Sequence, residues 1–387
     1  MTQRLGNGEW PRRVLFAGGG TGGHIYMGVA VGELLRRRVP EATVVFVGAR
    51  GGLEERILPG LGYPLESFSL GGLKNVGAGR VLRTLLQLPF AFAKSLRLLR
   101  RLRPEVVVGL GGYSSGPVAL AAAVLRIPVL LVEPNAFPGF TNRLLRPFAT
   151  AVAAGFVETA RNLDPERSVV TGVPIRQEFF AAPPADFTAS RLTVLVFGGS
   201  RGSLPINRLV AAAAQLLRDL PLDWIHQTGR DHFAPIAEEY ERHGLAVELL
   251  PYIENMPEYV ARAHLLISRA GASTVAEIAA AGRPAVLIPF PAAADDHQTR
   301  NAEVLGRAGA AVVLAQSGLT PHRLAETIRA LAADRARLAA MAAAAARLAR
   351  RDAAEAILEL IACLAARRSF VHLKTPAANR EVREVRV

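Results

Sequence analysis

The stretch RVLFAGGGTGGH places five glycines (Gly18, Gly19, Gly20, Gly22 and Gly23) after an apolar run and directly before His24. Glycines in that position let bare backbone N–H groups and a helix N-terminus close on an anion. A histidine with an unperturbed pKa near 6.5 is largely free to accept a proton at neutral pH. A helix-start histidine without chemistry is the alternative reading. Its place at the C-terminal end of a first parallel strand, where open α/β sheets bind ligands, favours the chemical one.

A second constellation lies in SRAGASTVAEIAAAGRPAVLIPFP. A small-residue loop follows an apolar strand, and Gly271 to Thr274 open a helix suited to cradling a diphosphate. Glu277 falls about one turn in, where a carboxylate can accept both hydroxyls of a ribose; an ordinary helix-start acid is the alternative. Arg269 and Arg176 can each complement phosphate charge. DDHQTRNA, from Asp295, sets further polar side chains after another strand end.

Other chemistries fit less well. The first loop matches G-x-G-x-x-G at Gly18, Gly20 and Gly23, but a dinucleotide enzyme needs an acid after its second strand, and VVFVGAR supplies Arg50. No G-x-x-x-x-G-K-[ST] loop occurs. The formal charge of +13 invites nucleic acid, anionic lipid or a phosphate-bearing substrate, yet only 6% of residues are aromatic and no nucleic-acid recognition motif is present. The single cysteine, Cys363, cannot form an internal disulfide and suits a reducing compartment. The opening MTQRLGNGEWPRR lacks the apolar core of a signal peptide. No uncharged apolar run reaches the roughly 18 residues of a membrane span.

The elements that must position these loops alternate. RVLFA, TVVFVG, EVVVGL, IPVLLV and TAVAA read as strands in the first half; LTVLVF, DWIHQ, AVELL, HLLIS and PAVLIPF do so in the second. Strands alternating with helical segments predict parallel sheets covered on both faces. Each half opens with an apolar strand, a Gly loop and a helix, at Gly18 and again at Gly198. The expected organisation is an N-terminal Rossmann-like domain over 12–172, a linker rich in Pro and Ala over 173–190, a C-terminal domain over 191–350, a helix over 351–368 and a tail over 369–387. The 351–368 helix is a candidate to return to the first domain.

GGTGGH, GGYSSGPVALAA, GGSRGS, SRAGASTVAEIAAAGRPAVLIP and DDHQTRNA occur in this order. Together they make the chain similar, over roughly residues 12 to 365, to the MurG family within glycosyltransferase family 28. These are UDP-N-acetylglucosamine:undecaprenyl-diphospho-muramoylpentapeptide N-acetylglucosaminyltransferases. The resemblance implies the GT-B plan: two doubly wound, parallel-sheet, Rossmann-like domains facing a cleft, with lipid-linked acceptor on the first and UDP-GlcNAc on the second. It implies that the backbone of Ile253 meets the uracil, that Glu277 holds the ribose, and that Ala272, Ser273, Thr274, Val275 and Ala276 line the nucleotide. Ser200 and Arg176 would meet the diphosphate, Gln298 the GlcNAc hydroxyls, and Thr21, Gly22, Gly23 and Asn135 the donor sugar. Three departures stand out. Met27 replaces a frequent proline, VEPN replaces HEQN with Val132 and Pro134, and GGSRGS replaces GGSQGA.

The implied reaction is inverting transfer of GlcNAc to the muramoyl 4-hydroxyl of lipid I, giving lipid II for peptidoglycan. A related GT-B enzyme with another glycolipid acceptor is the alternative. Leaving-group charge would be met by a helix N-terminus and arginine. There is no D-x-D, and the Asp295–Asp296 pair lacks supporting ligands, so neither a protein-bound metal nor a cofactor is expected. His24 and Glu133 are the candidates for the base, with His24 preferred and Glu133 orienting or relaying. A lipid-bound acceptor also demands a membrane surface. From Ser67 to Pro104 there are eight basic residues and no acidic one, with TLLQLPFAFA between them. Lys74, Arg80, Arg83, Leu86, Phe90 and Lys94 are the expected contacts with an anionic leaflet. The expected location is peripheral, on the cytoplasmic face of the bacterial inner membrane, with cell-wall synthesis or division proteins as candidate partners.

Overall fold

The computed structural model describes residues 10–19, 22–68 and 78–374, apart from the side chains of 78–85. It divides into two compact units, 1–175 with 352–387, and 176–351. In the first, β1 (Arg13–Gly18), α1 (Gly22–Arg38), β2 (Thr43–Ala49), α2 (Glu54–Ile57), β3 (Leu65–Phe68), α3 (Ala78–Leu102) and β4 (Val106–Gly111) follow in order. Then come α4 (Ser115–Val124), β5 (Val129–Glu133), α5 (Phe140–Leu145), β6 (Ala151–Ala154), α6 (Val157–Leu163) and β7 (Ser168–Val170). The second unit runs β8 (Leu192–Phe197), α7 (Leu204–Gln215), β9 (Leu222–Gln227), α8 (Phe233–Arg242), β10 (Val247–Leu250), α9 (Met256–Arg262) and β11 (Leu265–Ser268). It continues with α10 (Ala272–Ala281), β12 (Ala285–Leu287), α11 (His297–Arg307), β13 (Ala311–Val313), α12 (Pro321–Ala333) and α13 (Arg335–Arg347). A last helix, α14 (Ala353–Ala365), belongs to the first unit.

Both sheets are parallel, in the orders β3-β2-β1-β4-β5-β6-β7 and β10-β9-β8-β11-β12-β13. Each reverses direction beside its first strand, between β1 and β4 and between β8 and β11, so the two Gly loops stand at the two switch points. Central strands are covered on both faces and read as unbroken apolar runs. All of Val14 to Gly18 is buried, and so is all of β4. The expected strands are present. β3, β7 and β13 are additional edge strands of three or four residues, too short and mixed for the sequence pattern to reveal.

Helix α14 carries Ile357, Leu358, Leu360, Ile361 and Leu364 into the core on one face of the first sheet and packs on α1. On the other face, α3 turns Ala91, Ser95, Leu98 and Leu99 inward, an i, i+4, i+7, i+8 stripe. Within the segment read as an interdomain linker over 173–190, two contacts hold the chain after residue 176. Phe179 is fully buried, and the buried Arg283 donates to the carbonyls of Pro183, Val260, Ala261 and Ala281. Its proline and alanine content hides these two anchors.

Candidate active site

In the first unit, two backbones approach too closely for any side chain. A Cβ on Gly18, at φ +135°, would stand 2.3 Å from the carbonyl oxygen of Gly111. The N–H of Gly19 donates to that same oxygen at 3.3 Å. Helix α1 starts at Gly22, which puts Gly22, Gly23 and the half-buried His24 in its first turn. A Cβ on Gly111 would lie 3.6 Å from His24 Nε2 and 4.0 Å from Asn142 Nδ2, so imidazole and amide both border this bare backbone. Thr21 lies outside the described residues.

Strand β5 ends in Glu133, whose side chain is 2% exposed. One carboxylate oxygen accepts from the Asn135 N–H and from Asn135 Nδ2, each at 3.0 Å. The other accepts from the Gly139 N–H at 2.8 Å and from Asn142 Nδ2 at 3.0 Å. Burial raises its pKa from the ordinary value, and these donors oppose the rise. Two carboxylate oxygens offer about four acceptor positions, and four N–H groups fill them. Glu133 is thereby an anchor for the 133–142 loop, with no acceptor position turned to an incoming hydroxyl. It also fixes the Asn135 amide, and Thr159 Oγ1 holds the Asn135 carbonyl at 2.7 Å.

Two residues of this edge escaped the sequence reading. Asn142, 2% exposed, joins Glu133 to the Val132 carbonyl and to the His24 neighbourhood. Glu54, 1% exposed, packs its carboxyl beneath the first Gly loop. A Cβ on Gly19 would fall 1.6 Å from its Oε1, and one on Gly52 would fall 2.0 Å from its Oε2. So an acid does reach the loop although β2 leads into Arg50, and it is covered by the loop instead of presented to a ribose. The signal available was the glycine pair Gly51–Gly52 just before Glu54.

In the second unit, the loop after β8 turns through Gly199 at φ +91° and Gly202 at φ +71°. A Cβ on Gly202 would fall 1.8 Å from the Thr228 carbonyl oxygen. Ser200 is exposed on this loop. Helix α10 begins after Gly271, with Ala272, Ser273, Thr274 and Ala276 half-buried and Val275 turned into the core. Glu277 follows one turn later, half-buried. Burial pushes its carboxyl up to about 7, against the pull of Arg176. Arg176 is exposed, 5.3 Å from the Phe179 ring centroid. Gln298, at the start of α11, accepts from the N–H groups of Ala270 at 3.3 Å and Phe290 at 3.0 Å, tying the loops after β11 and β12 together. Ile253 is buried just beyond β10. The C-terminal edge of the second sheet thus gathers Ser200, Ile253, Ala272 to Glu277 and Gln298.

Arg269 is placed differently from the expectation of a phosphate ligand. It is 7% exposed, and its terminal nitrogens donate to the carbonyls of Ile288 and Pro289, to Ser203 Oγ and to Gln316 Oε1. Following directly on β11, it turns inward and clamps three loops. Desolvation lowers its pKa. Among the described residues, no three of His, Cys, Asp and Glu cluster closely enough to hold a metal ion.

On α3, Leu86 and Phe90 stand one turn apart and are 65% and 79% exposed. Lys94, a further turn on, donates to the Ser67 carbonyl at 2.8 Å and lies over the Phe68 ring. Lys74 and the side chains of Arg80 and Arg83 lie outside the description. No described helix is long and apolar enough to cross a membrane.

Two Rossmann-like units with glycine loops at their strand ends, one with a carboxylate-bearing helix N-terminus, have the plan of the GT-B fold class, which includes nucleotide-sugar glycosyltransferases. Residues 14–154 match the glycosyltransferase family 28 N-terminal domain, and residues 193–357 match the glycosyltransferase family 28 C-terminal domain. The UDP-N-acetylglucosamine--N-acetylmuramyl-(pentapeptide) pyrophosphoryl-undecaprenol N-acetylglucosamine transferase of Syntrophotalea carbinolica is 45% identical, over 90% of this chain and 98% of its own. The enzyme of the same name from Myxococcus xanthus is 42% identical, over 90% and 92%. The crystal structure of Acinetobacter baumannii MurG is similar with a TM-score of 0.77 and 32% identity, over 91% of this chain and 99% of that one. The chain belongs to glycosyltransferase family 28 and, within it, to the MurG family.

Replacing Glu133 with Gln turns an N–H₂ group toward N–H donors that now meet a carboxylate. The substitution is expected to destabilise the first unit by about 1–3 kcal/mol, read as a lower denaturant midpoint. An unchanged midpoint would contradict the anchoring role.

Proposed function

We propose that this glycosyltransferase moves N-acetylglucosamine from UDP-N-acetylglucosamine to the 4-hydroxyl of the muramoyl sugar of undecaprenyl-diphospho-MurNAc-pentapeptide, with inversion. The observation that carries this reading is the identity of over 40% along nine-tenths of the chain to enzymes named for that transfer. The site supports it at each step. The second unit takes the nucleotide: uracil at the Ile253 backbone, ribose hydroxyls on the Glu277 carboxylate, and diphosphate at the α10 N-terminus, Ser200 and Arg176. Helix N–H groups and a guanidinium, fixed before reaction, stabilise the charge that develops as the C–O bond to phosphate breaks. Gln298 uses its oxygen on the protein, which leaves its N–H₂ for the sugar hydroxyls.

In the first unit, His24 takes the proton of the acceptor hydroxyl as its oxygen attacks the anomeric carbon. The new C–O bond forms on the face opposite the departing UDP, so configuration inverts. Glu133 acts at one remove, holding Asn135 and Asn142 in place. The glycines around His24 leave room for the acceptor, with Gly22, Gly23 and Asn135 against the donor sugar. A helix N-terminus and a guanidinium supply the charge stabilisation that metal supplies in other transferases, so the reading includes neither metal nor cofactor.

The lipid-linked acceptor brings the chain to a membrane surface as a peripheral protein, on the cytoplasmic side. Leu86 and Phe90 project from a helix surrounded by basic residues, the composition that settles at an anionic interface.

The reading is tested by transfer of labelled GlcNAc to a short-chain lipid I analogue without added metal. Wild type is expected to transfer to lipid I and not to diacylglycerol. His24→Ala should lose about 10²–10⁴-fold in kcat while still binding UDP-GlcNAc. Transfer to diacylglycerol alone would replace the acceptor, and an undiminished variant would remove His24 as base.

Because Glu277 titrates at about 7 and only its ionised form accepts both ribose hydroxyls, affinity for UDP-GlcNAc should rise with pH. It should climb up to about 7 and then level off. Glu277→Gln should bind weakly at every pH, and a wild-type profile that falls with pH would refute this assignment. Replacing Leu86 and Phe90 together with Ser should weaken binding to vesicles of anionic lipid at least tenfold, since each buried side chain contributes about 1.5–3 kcal/mol. Equal binding of both proteins would exclude this helix as the contact.

A further inference from the structure

Behind the Gly198–Ser203 loop, β9 ends in His226 and Gln227 and Thr228 follows it, three consecutive buried polar residues. Neither nucleotide contacts nor catalysis uses them. His226 is fully buried between two neighbours from different helices. Its Nδ1 lies 2.8 Å from the hydroxyl of Tyr240 on α8, and its Nε2 lies 3.2 Å from Oδ1 of Asn207 on α7. The Nδ2 of Asn207 donates to the Thr228 carbonyl at 2.8 Å, which assigns the oxygen of that amide to the His226 side. His226 therefore carries its proton on Nε2, and Nδ1 accepts from Tyr240. Burial holds the imidazole neutral, with its pKa down at about 3, and raises the Tyr240 phenol.

Every bond in the chain now has one direction: Tyr240 O–H to His226 Nδ1, His226 Nε2–H to Asn207 Oδ1, Asn207 Nδ2–H to Thr228 O. The chain ends on the carbonyl that Gly202 presses against, and a Cβ on Gly229 would stand 2.2 Å from the Arg201 carbonyl oxygen. Gln227, oriented to satisfy both of its neighbours, donates to the Gly199 carbonyl at 3.1 Å and accepts from the Gly229 N–H at 3.2 Å. From the other side, Arg269 holds Ser203 Oγ at 2.8 Å. The glycine loop is thus seated on a directional polar lattice. An apolar side chain of similar volume would fill the same space without specifying where the carbonyl points.

We propose that His226, together with Tyr240 and Asn207, is a positioning residue for the donor diphosphate: the chain Tyr240–His226–Asn207–Thr228 presets the Gly198–Ser203 loop in the conformation that receives the anion. This rests on the reading of the second unit as the UDP-sugar site. The base and ribose are held elsewhere, at Ile253 and Glu277, so the network acts on the phosphate part of the ligand alone.

The test measures binding of UDP and of uridine to the full chain by ligand-observed NMR. His226→Phe keeps ring volume and removes both hydrogen bonds. Tyr240→Phe removes a single hydroxyl and guards against loss of folding, which circular dichroism checks. His226→Gln keeps an N–H near the Nε2 position and serves as the conservative rescue. The expected result is a loss of roughly tenfold in UDP affinity for His226→Phe and about threefold for Tyr240→Phe. His226→Gln should lie between His226→Phe and wild type, and uridine affinity should stay at the wild-type value in all three. UDP and uridine weakening together, or UDP binding unchanged in both Phe variants, would overturn the proposal. A wild type that binds neither ligand would overturn the nucleotide reading itself, and the positioning role with it.

Discussion

Backbone pressed on backbone at the C-terminal strand ends is the constraint on which the structure turns. At the first switch point Gly18 lies against the Gly111 carbonyl, and in the second unit Gly202 lies against the Thr228 carbonyl. Neither position has room for a Cβ, and both have φ in the region that glycine tolerates. Because the loops run so close to the neighbouring strand, the helices that follow, α1 and α7, start at the C-terminal edge of their sheets. The same geometry recurs in both units, and the proposed function gives the acceptor to one edge and the nucleotide to the other. Their chemistry diverges through the side chains set around the loops.

Those side chains are held by buried polar groups that never face the substrate. Glu133 organises the loop beside His24 through four N–H donors, and Glu54 packs under the glycines that precede it. Arg269 clamps three loops of the second unit through carbonyl, hydroxyl and amide oxygens. A buried charge with its hydrogen bonds filled gives a loop one preferred conformation, where an apolar contact would allow several. The division of labour is therefore between exposed or half-exposed groups at the edge, such as His24, Glu277 and Arg176, and a buried polar layer behind them.

Much of this was legible in the sequence for physical reasons. Central parallel strands are buried on both faces, so RVLFA and LTVLVF announce themselves as unbroken apolar runs ending in glycine. The edge strands LESF, SVV and AVV carry no such signal. The helix-start register of Glu277 could be counted from Gly271. The destinations of buried polar side chains could not. Asn142 meets Glu133 across nine residues, and Asn207 meets His226 across nineteen. Arg269 reads the same in sequence whether it turns to solvent or to the carbonyls of Ile288 and Pro289, and only the fold decides. The proline-rich stretch after residue 175 reads as an interdomain linker, and its anchoring by Phe179 and Arg283 shows only in the fold.

In the proposed function the two similar glycine-loop edges take different ligands, with the nucleotide on the second unit. A crystal structure of the chain with UDP-N-acetylglucosamine tests it most directly. Uridine is expected beside Ile253 and Glu277, with the diphosphate between the α10 N-terminus and the Gly198–Ser203 loop. Nucleotide density at the Gly18–Gly23 loop beside His24 would contradict it.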